Sequence, residues 1–381
     1  MSTILNVTDS LSESAGGLSH ATLNLAVSTS KHLPDHRLIV LSHQDSTEVD
    51  SDLIECPANL AIEKVECFRN SYFPFSLGLY KKILDFQPDL IHLRGLWRQS
   101  SFACLKWKKE HPDLKLIVQP AGMLEPWARK RNGLSKRFYY SLFESRLFQA
   151  CDAIHATSIA EADNLIAMGL PSEKMFIIEE GIYIPSLSSS NRIDRSPDKA
   201  ATKQLLFLSR IHPKKGIELL LNAIALLRPQ NWTCKIVGMG SLSYERILKK
   251  RVQRLGLENI VFFEGPLYGQ KKAAMFRDSD AFVLPTYSEN FGIAIAEAMS
   301  WGLPVITTTG TPWSALSDPS MGWYIKPNVN DLSYALFCLF SKDNHELNAM
   351  GERCRSFVES NFSWNTVGER MARKYVSLIG Y

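Results

Sequence analysis

The chain has 381 residues, of which 45% are hydrophobic and 22% charged, with a formal net charge of +4. That composition is that of a soluble globular protein, and the length calls for two domains of ordinary size. No apolar run approaches the ~20 residues that a membrane-spanning helix needs, and MSTILNVTDS lacks the basic start of a secretory signal, so a cytoplasmic location is expected. The seven cysteines form no C-x-x-C pair and several sit in apolar segments, which is better explained by buried free thiols than by metal ligands or disulfides.

In the first half, the strand-like runs ILNVT (4–8), HRLIVLS (36–42), DLIHL (89–93), KLIVQ (115–119), DAIHATS (152–158) and MFIIE (175–179) alternate with helical stretches. This is βαβ grammar, which predicts a parallel and mainly buried sheet. After the first strand Gly16 and Gly17 lead into a helix, where backbone can approach a phosphate closely. The dinucleotide fingerprint G-x-G-x-x-G is absent there, and Gly238-Met239-Gly240 lacks its third glycine, which disfavours a dehydrogenase.

Residues 127–148 interleave Arg129, Lys130, Arg131, Lys136, Arg137 and Arg146 with Trp127, Phe138, Tyr139, Tyr140, Phe143 and Phe148. Two readings stay open: an anionic membrane surface, or an amphipathic helix whose aromatics enter the core. No recognised nucleic-acid motif accompanies the stretch, so no nucleic-acid partner is expected.

Residues 185–203, PSLSSSNRIDRSPDKAATK, are rich in Ser, Pro and charge and read as a linker. The alternation then restarts with QLLFLS (204–209), CKIVG (234–238), IVFFEG (260–265), AFVLP (281–285) and PVITT (304–308). Two doubly wound domains imply a cleft between them, with ligands at the carboxyl ends of strands.

In SRIHPKKG (209–216), Arg210 and Lys215 follow a strand and could converge on a pyrophosphate, with His212 as a loop residue. Asp278-Ser279-Asp280 resembles a D-x-D metal motif, but its place before a buried strand reads as a helix-to-strand turn. The segment ENFGIAIAE then places Glu289 on a loop, Asn290 and Gly292 at a helix N-terminus, and Glu297 inside that helix. Unpaired N–H groups and the helix dipole favour an anion at that end. At about 1.5 Å per residue the two carboxylates stand roughly 8–12 Å apart, too far for one dyad but suited to two separate groups of hydroxyls. From spacing alone, a solvated loop Glu and a surface helix Glu fit equally well.

The order of SRIHPKKG, VGMGS, FFEGPL, the two-glutamate segment and AMSWGLPVI resembles the nucleotide-sugar-binding domain of the family 4 retaining glycosyltransferases of GT-B architecture. The first half is similar too, through AGG, IHLRGLW (91–97), GMLEPW (122–127) and ATSIAEADNL (156–165); GMLEPWA resembles members that build bacterial surface polysaccharides and exopolysaccharides. The resemblance implies an α/β GT-B fold: two doubly wound Rossmann-like domains facing a central cleft. It implies an acceptor-binding domain over 1–187, a linker over 188–203, a nucleotide-sugar domain over 204–360, and a helix over 361–381 crossing back to the first domain.

By the same resemblance Glu289 would hold hydroxyls of the transferred hexose, Glu297 the ribose hydroxyls, and Arg210 and Lys215 the diphosphate. Backbone amides at Gly16, Gly17, Asn290, Phe291 and Gly292 would complete the cradle, with the base near Gly238, Gly265, Pro266 and Leu267. Many relatives carry a histidine before the glycine of the GML segment, where this chain has Ala121. His92 and Arg94 are the nearest polar candidates for that vacancy, and His92 fits a satisfied residue at a strand end equally well; with His92 included, the candidate catalytic set is Glu289, Arg210, Lys215 and His92.

The implied activity is metal-independent, retaining hexosyl transfer, with glucose as the sugar, UDP-sugar as donor substrate and no cofactor. The implied acceptor is a polysaccharide or a lipid-linked saccharide, and the implied location is cytoplasmic with peripheral contact at the inner face of the plasma membrane. A nucleotide-sugar epimerase or hydrolase on the same fold, and a non-catalytic nucleotide-sugar-binding module, stand as alternatives.

Overall fold

The computed structural model describes residues 1–11, 17–43, 56–66, 77–124, 140–186 and 202–380. Gly16, most of the linker, and the basic aromatic stretch from Trp127 to Tyr139 lie outside the described residues. The chain divides into two units, Met1–Gly181 with Trp364–Tyr381, and Ile182–Ser363.

In the first unit the elements run β1 (Thr3–Ser10), α1 (Gly17–Lys31), β2 (Arg37–His43), β3 (Leu60–Val65), α2 (Leu77–Phe86), β4 (Leu90–Arg94), α3 (Gln99–Glu110), β5 (Lys115–Gln119), a π-turn (Tyr140–Glu144), α4 (Ser145–Ala150), β6 (Ala153–Ala156), α5 (Ile159–Ala167) and β7 (Met175–Ile177). Their sheet has the order β3-β2-β1-β4-β5-β6-β7 with every pairing parallel. Strands such as Leu38–Leu41 and Leu116–Val118 are buried on both faces, which is why they read as unbroken apolar runs. The order reverses at β1 and β4, which share the register Ile4↔Leu90 to Thr8↔Arg94.

The second unit runs β8 (Lys203–Leu208), α6 (Ile217–Leu227), β9 (Trp232–Val237), α7 (Leu242–Leu255), β10 (Val261–Gly265), α8 (Gly269–Arg277), β11 (Ala281–Leu284), α9 (Ile293–Ser300), β12 (Val305–Thr308), β13 (Gly322–Ile325), α10 (Val329–Phe340) and α11 (Asn344–Phe362). The sheet order is β10-β9-β8-β11-β12-β13, again parallel, and reverses at β8 and β11.

The chain then returns to the first unit as α12 (Trp364–Ile379), whose buried stripe Val367, Gly368, Met371, Ala372 and Tyr375 has helical spacing and packs on α1. Asn361 and Phe362 complete α11, so the returning helix starts at Trp364. Residues 182–186 likewise belong to the second unit. The Ile182 N–H donates to Phe362 O at 2.7 Å and its side chain joins that unit's core.

Two strands have no counterpart in the sequence reading, β3 and β13. Both are edge strands, only partly buried, and β3 reads LAIEKV with two charges in it. An edge strand covered on fewer sides tolerates such residues, so its apolar signal is weak. The cysteine expectation holds for Cys104, Cys151, Cys234 and Cys354, which are buried and free, while Cys56 is exposed.

Candidate functional site

In the second unit the reversal of strand order makes β8 and β11 neighbours, so the loops leaving their carboxyl ends meet. The loop after β8 carries Arg210 and folds into a short turn, Pro213–Lys215, whose first free amide, Lys214 N–H, is capped by the His212 ring at 3.1 Å. His212 is thus a loop-capping residue. Lys214 O accepts from Tyr287 N–H at 2.8 Å and from the Thr286 hydroxyl at 3.0 Å, stitching this loop to the one after β11. Gly216 allows the approach: its φ is +72°, and a Cβ there would stand 1.9 Å from Pro285 O.

This stitching brings Lys215 to Glu289. The ammonium donates to Glu289 Oε1, and the two side chains are 10% and 11% exposed. Glu289 N–H donates to Gly310 O at 2.8 Å, fixing the carboxylate's own backbone. Two charges so far out of water hold together only because each satisfies the other, and an anion or hydroxyls arriving there enter a field that is already organised.

Beside the pair, α9 starts from Gly292, whose φ of +83° turns the chain into the helix. Ile295 N–H returns to Gly292 O at 2.8 Å as the helix begins, and the first amides of a helix have no partner within the helix itself. Asn290 is half-buried here, whereas Phe291 is buried, packed against Trp313 and Phe362 with ring centroids 5.2 and 5.5 Å away. Trp313 Nε1 donates to Phe291 O at 2.5 Å, so Phe291 can offer a ligand its backbone amide and nothing else.

Glu297, on α9, accepts from Lys272 Nζ at 2.6 Å. Lys272 stands in the first turn of α8 and went unnoticed in the sequence; its one trace there is the pair Lys271-Lys272 opening a helix, where a cation is disfavoured by the dipole.

Gly238 and Gly265 lie at the carboxyl ends of β9 and β10, joined by Gly238 N–H donating to Gly265 O at 2.9 Å. Gly238 has φ +147°, and a Cβ there would meet Ser209 O at 1.8 Å. Pro266 is exposed and Leu267 packs against the core. Arg210 is exposed and no described residue forms an ion pair with it. Asp278 pairs with Arg277 at 2.9 Å and Asp280 accepts from Gln204 N–H at 2.6 Å, so both carboxylates serve the turn into β11.

The first unit corrects the reading of His92. Its ring is fully enclosed on β4, with Nδ1 2.8 Å from the Tyr375 hydroxyl and Nε2 3.3 Å from His155 Nδ1. His155 Nε2 lies 2.7 Å from Ile178 O, which can only accept, so that nitrogen carries the proton and Nδ1 is bare. His92 Nε2–H then donates to it, His92 Nδ1 accepts from Tyr375, and the Tyr375 oxygen accepts from the Asn6 amide 3.1 Å away. This assigns the nitrogen of Asn6 to the position facing Tyr375, giving a partner to an Nδ2 that otherwise has none. Burial first, then the neighbouring His155, holds His92 well below the ordinary histidine range, and burial brings His155 down to about 3. A neutral histidine with both nitrogens engaged inside a sheet cannot reach an acceptor hydroxyl.

Arg94 is equally enclosed, donating to Gln119 Oε1 at 2.6 Å and Ala21 O at 3.0 Å, and pairing with Glu180 at 3.3 Å. It ties strands and helix together and does not fill the vacancy at Ala121. Gly17 opens α1 as a backbone element. Of the 127–148 aromatics within the described residues, Phe148 is buried, Phe143 packs on Phe102 and Tyr140 on Trp97, which follows the core reading for those three.

The sequence reading also overlooked Glu144, at the end of the π-turn. Its side chain is fully buried, Oε1 accepts from Trp97 N–H at 2.7 Å, and Oε2 has no hydrogen-bond partner. Burial raises it to about 7, against the lowering effects of that amide and of the nearby Ser101 hydroxyl, with the Asp9 carboxylate adding to the rise.

Two doubly wound parallel sheets, each reversing its strand order once, make up the GT-B fold. The structure matches a glycosyltransferase from Rickettsia africae ESF-5 with TM-score 0.75 at 19% identity, covering 100% of this chain and 99% of that one. It matches Anabaena Alr3699/HepE in complex with UDP with TM-score 0.75 at 20% identity, covering 99% of this chain and 100% of that one. In sequence, residues 15–184 match the Glycosyltransferase Family 4 model and residues 190–357 the model for glycosyl transferases group 1. The chain belongs to the family 4 glycosyltransferases. It is 28% identical over 245 residues to a putative colanic acid biosynthesis glycosyltransferase, WcaL, of Escherichia coli (strain K12), spanning 61% of this chain and 59% of that relative's length.

Proposed function

We propose that this chain transfers a hexosyl unit, with glucose as the first choice, from a UDP-sugar to a polysaccharide or lipid-linked saccharide, retaining the anomeric configuration and using no metal ion or cofactor. The observation that carries the reading is the Lys215–Glu289 pair, nearly buried at the carboxyl ends of β8 and β11 and next to the α9 N-terminus. A diphosphate at that end gives Lys215 a second anion to neutralise, with Arg210 on the same loop, and Glu289 then accepts from hexose hydroxyls.

The step needs the departing nucleoside diphosphate stabilised as its bond to the anomeric carbon breaks, and these cations and amides supply that field. A leaving phosphate oxygen takes the acceptor proton, so neither His92 nor a residue at Ala121 is required. Glu289 is a poor nucleophile because its partner is a ring hydroxyl away from the anomeric carbon. Glu297 takes the ribose hydroxyls, and the base lies near Gly238, Gly265, Pro266 and Leu267. The UDP of the Anabaena neighbour supports uracil, and the polysaccharide role in the printed name of the Escherichia coli relative supports the acceptor class.

A thermal-shift panel of UDP-, GDP- and ADP-sugars tests the donor, with UDP-glucose expected to raise the midpoint most. Activity unchanged by a chelator, and a product with the donor's anomeric configuration by NMR, test the rest. Donor turnover that needs no acceptor would replace transfer by hydrolysis or epimerisation. For peripheral membrane contact through 127–148, sedimentation with anionic vesicles at low salt is expected, and its absence would remove that part.

A further inference from the structure

Lys272 has no place in the reaction so far, and its position is unusual. It lies in the first turn of α8, where its N–H makes the helix's opening bond to Tyr268 O at 3.3 Å and its charge opposes the helix dipole. Its neighbour Lys271 is exposed, whereas the Lys272 side chain is 30% exposed and reaches across to Glu297, itself 27% exposed, on a different helix. The ammonium holds Oε1 at 2.6 Å, and no described residue donates to Oε2. A glutamate in a helix has three rotatable bonds, and a partner on a second helix confines them at the one carboxylate expected to meet a diol.

We propose that Lys272 is a positioning residue for nucleotide recognition: it sets the Glu297 carboxylate so that Oε2, and the remaining lone pair of Oε1, receive the two ribose hydroxyls of the donor. The ligand class is a nucleoside diphosphate bearing a cis-diol, and the inference rests on the assignment of Glu297 to the ribose. Lys272 acts through Glu297, so its contribution is confined to the diol and is absent for a nucleotide that has none.

The test compares the parent with Lys272→Met, Lys272→Arg, Lys271→Met and Glu297→Gln, using whichever of UDP, GDP and ADP stabilises the parent most, and its 2′,3′-dideoxy analogue. Lys272→Met is expected to weaken the diphosphate about tenfold and raise donor KM to match, with kcat within about twofold. Lys272→Arg restores most of the loss, Lys271→Met changes nothing, and the dideoxy analogue binds parent and Lys272→Met equally. Equal weakening of both nucleotides would overturn the proposal, since the lysine would then act on the phosphates. So would unchanged diphosphate binding in Lys272→Met when Glu297→Gln weakens it. Diphosphate binding unaffected by Glu297→Gln would instead sink the underlying reading of Glu297. Melting curves of each variant separate these outcomes from misfolding.

Discussion

Lys215 and Glu289 are 74 residues apart in sequence and form a nearly buried ion pair, because β8 and β11 lie side by side at the point where the second sheet reverses its strand order. Each charge is the other's main compensation. Removing one leaves the other in a site with little water, a situation that costs about 3–5 kcal/mol when a pair is fully buried.

Glu289→Gln, Lys215→Ala and Arg210→Ala are each expected to cut transfer by about a hundredfold or more. Because Glu289 and Lys215 act as a unit, the double variant Glu289→Gln/Lys215→Met should be little slower than its worse single, and less destabilised than the sum of both. Single-turnover rates and denaturant midpoints check this. Fully additive losses would mean the two side chains act independently.

His92→Ala is expected to be a stability variant. It removes two buried hydrogen bonds and leaves a hole in a sheet whose strands are closed on both faces, costing about 2–4 kcal/mol. At a temperature where the variant is folded, kcat should stay within about threefold of the parent. A hundredfold loss of kcat in the folded variant would return His92 to the catalytic set.

Glu144 makes stability depend on pH. Its folded value of about 7 lies above the ordinary 4.5, so below pH 4.5 both states are protonated and its contribution is fully present. Between pH 4.5 and about 7 the unfolded chain ionises while the folded chain keeps its proton, so stability falls as pH rises. The gap corresponds to about 3 kcal/mol. Glu144→Gln removes this term, so its stability relative to the parent should rise by about that amount from pH 4.5 to pH 8, read from urea midpoints. A pH-independent difference would contradict the assignment.

Gly238→Ala puts a Cβ against Ser209 O at 1.8 Å in a conformation with φ +147°. Strain of about 1–3 kcal/mol and displacement of the loop beside Gly265 should result. The expected result is a lower melting midpoint together with a raised donor KM; an unchanged KM would place the base elsewhere.

The βαβ alternation is legible because parallel strands bury both faces. Leu38 to Leu41, Leu116 to Val118 and Phe282 to Leu284 have almost no exposure and appear in sequence as plain apolar runs. Where burial is one-sided the signal fades, as in LAIEKV of β3 and GWYI of β13. Glu289 and Glu297 stand out by their spacing across a helix start, a local property, though that spacing alone fits two solvated glutamates equally well. The sequence left His92 undecided for a matching reason: a histidine at a strand end looks the same whether its nitrogens face solvent or, as here, Tyr375 and His155, and Tyr375 arrives from 283 residues away.

Local burial and short spacing are the properties that the amino-acid order carries by itself. They determined two runs of buried parallel strands, the punctuation between them, and a helix N-terminus flanked by two carboxylates. Tertiary structure decided the partners. Lys215 reaches Glu289 only when β8 and β11, distant in the chain, become neighbours, Lys272 reaches Glu297 only when α8 and α9 come together across β11, and Glu144 meets the Trp97 amide only when the π-turn closes on the loop after β4. Charge pairing and desolvation depend on three-dimensional distance, and a chain written in order carries no record of which distant residues will share a dry volume.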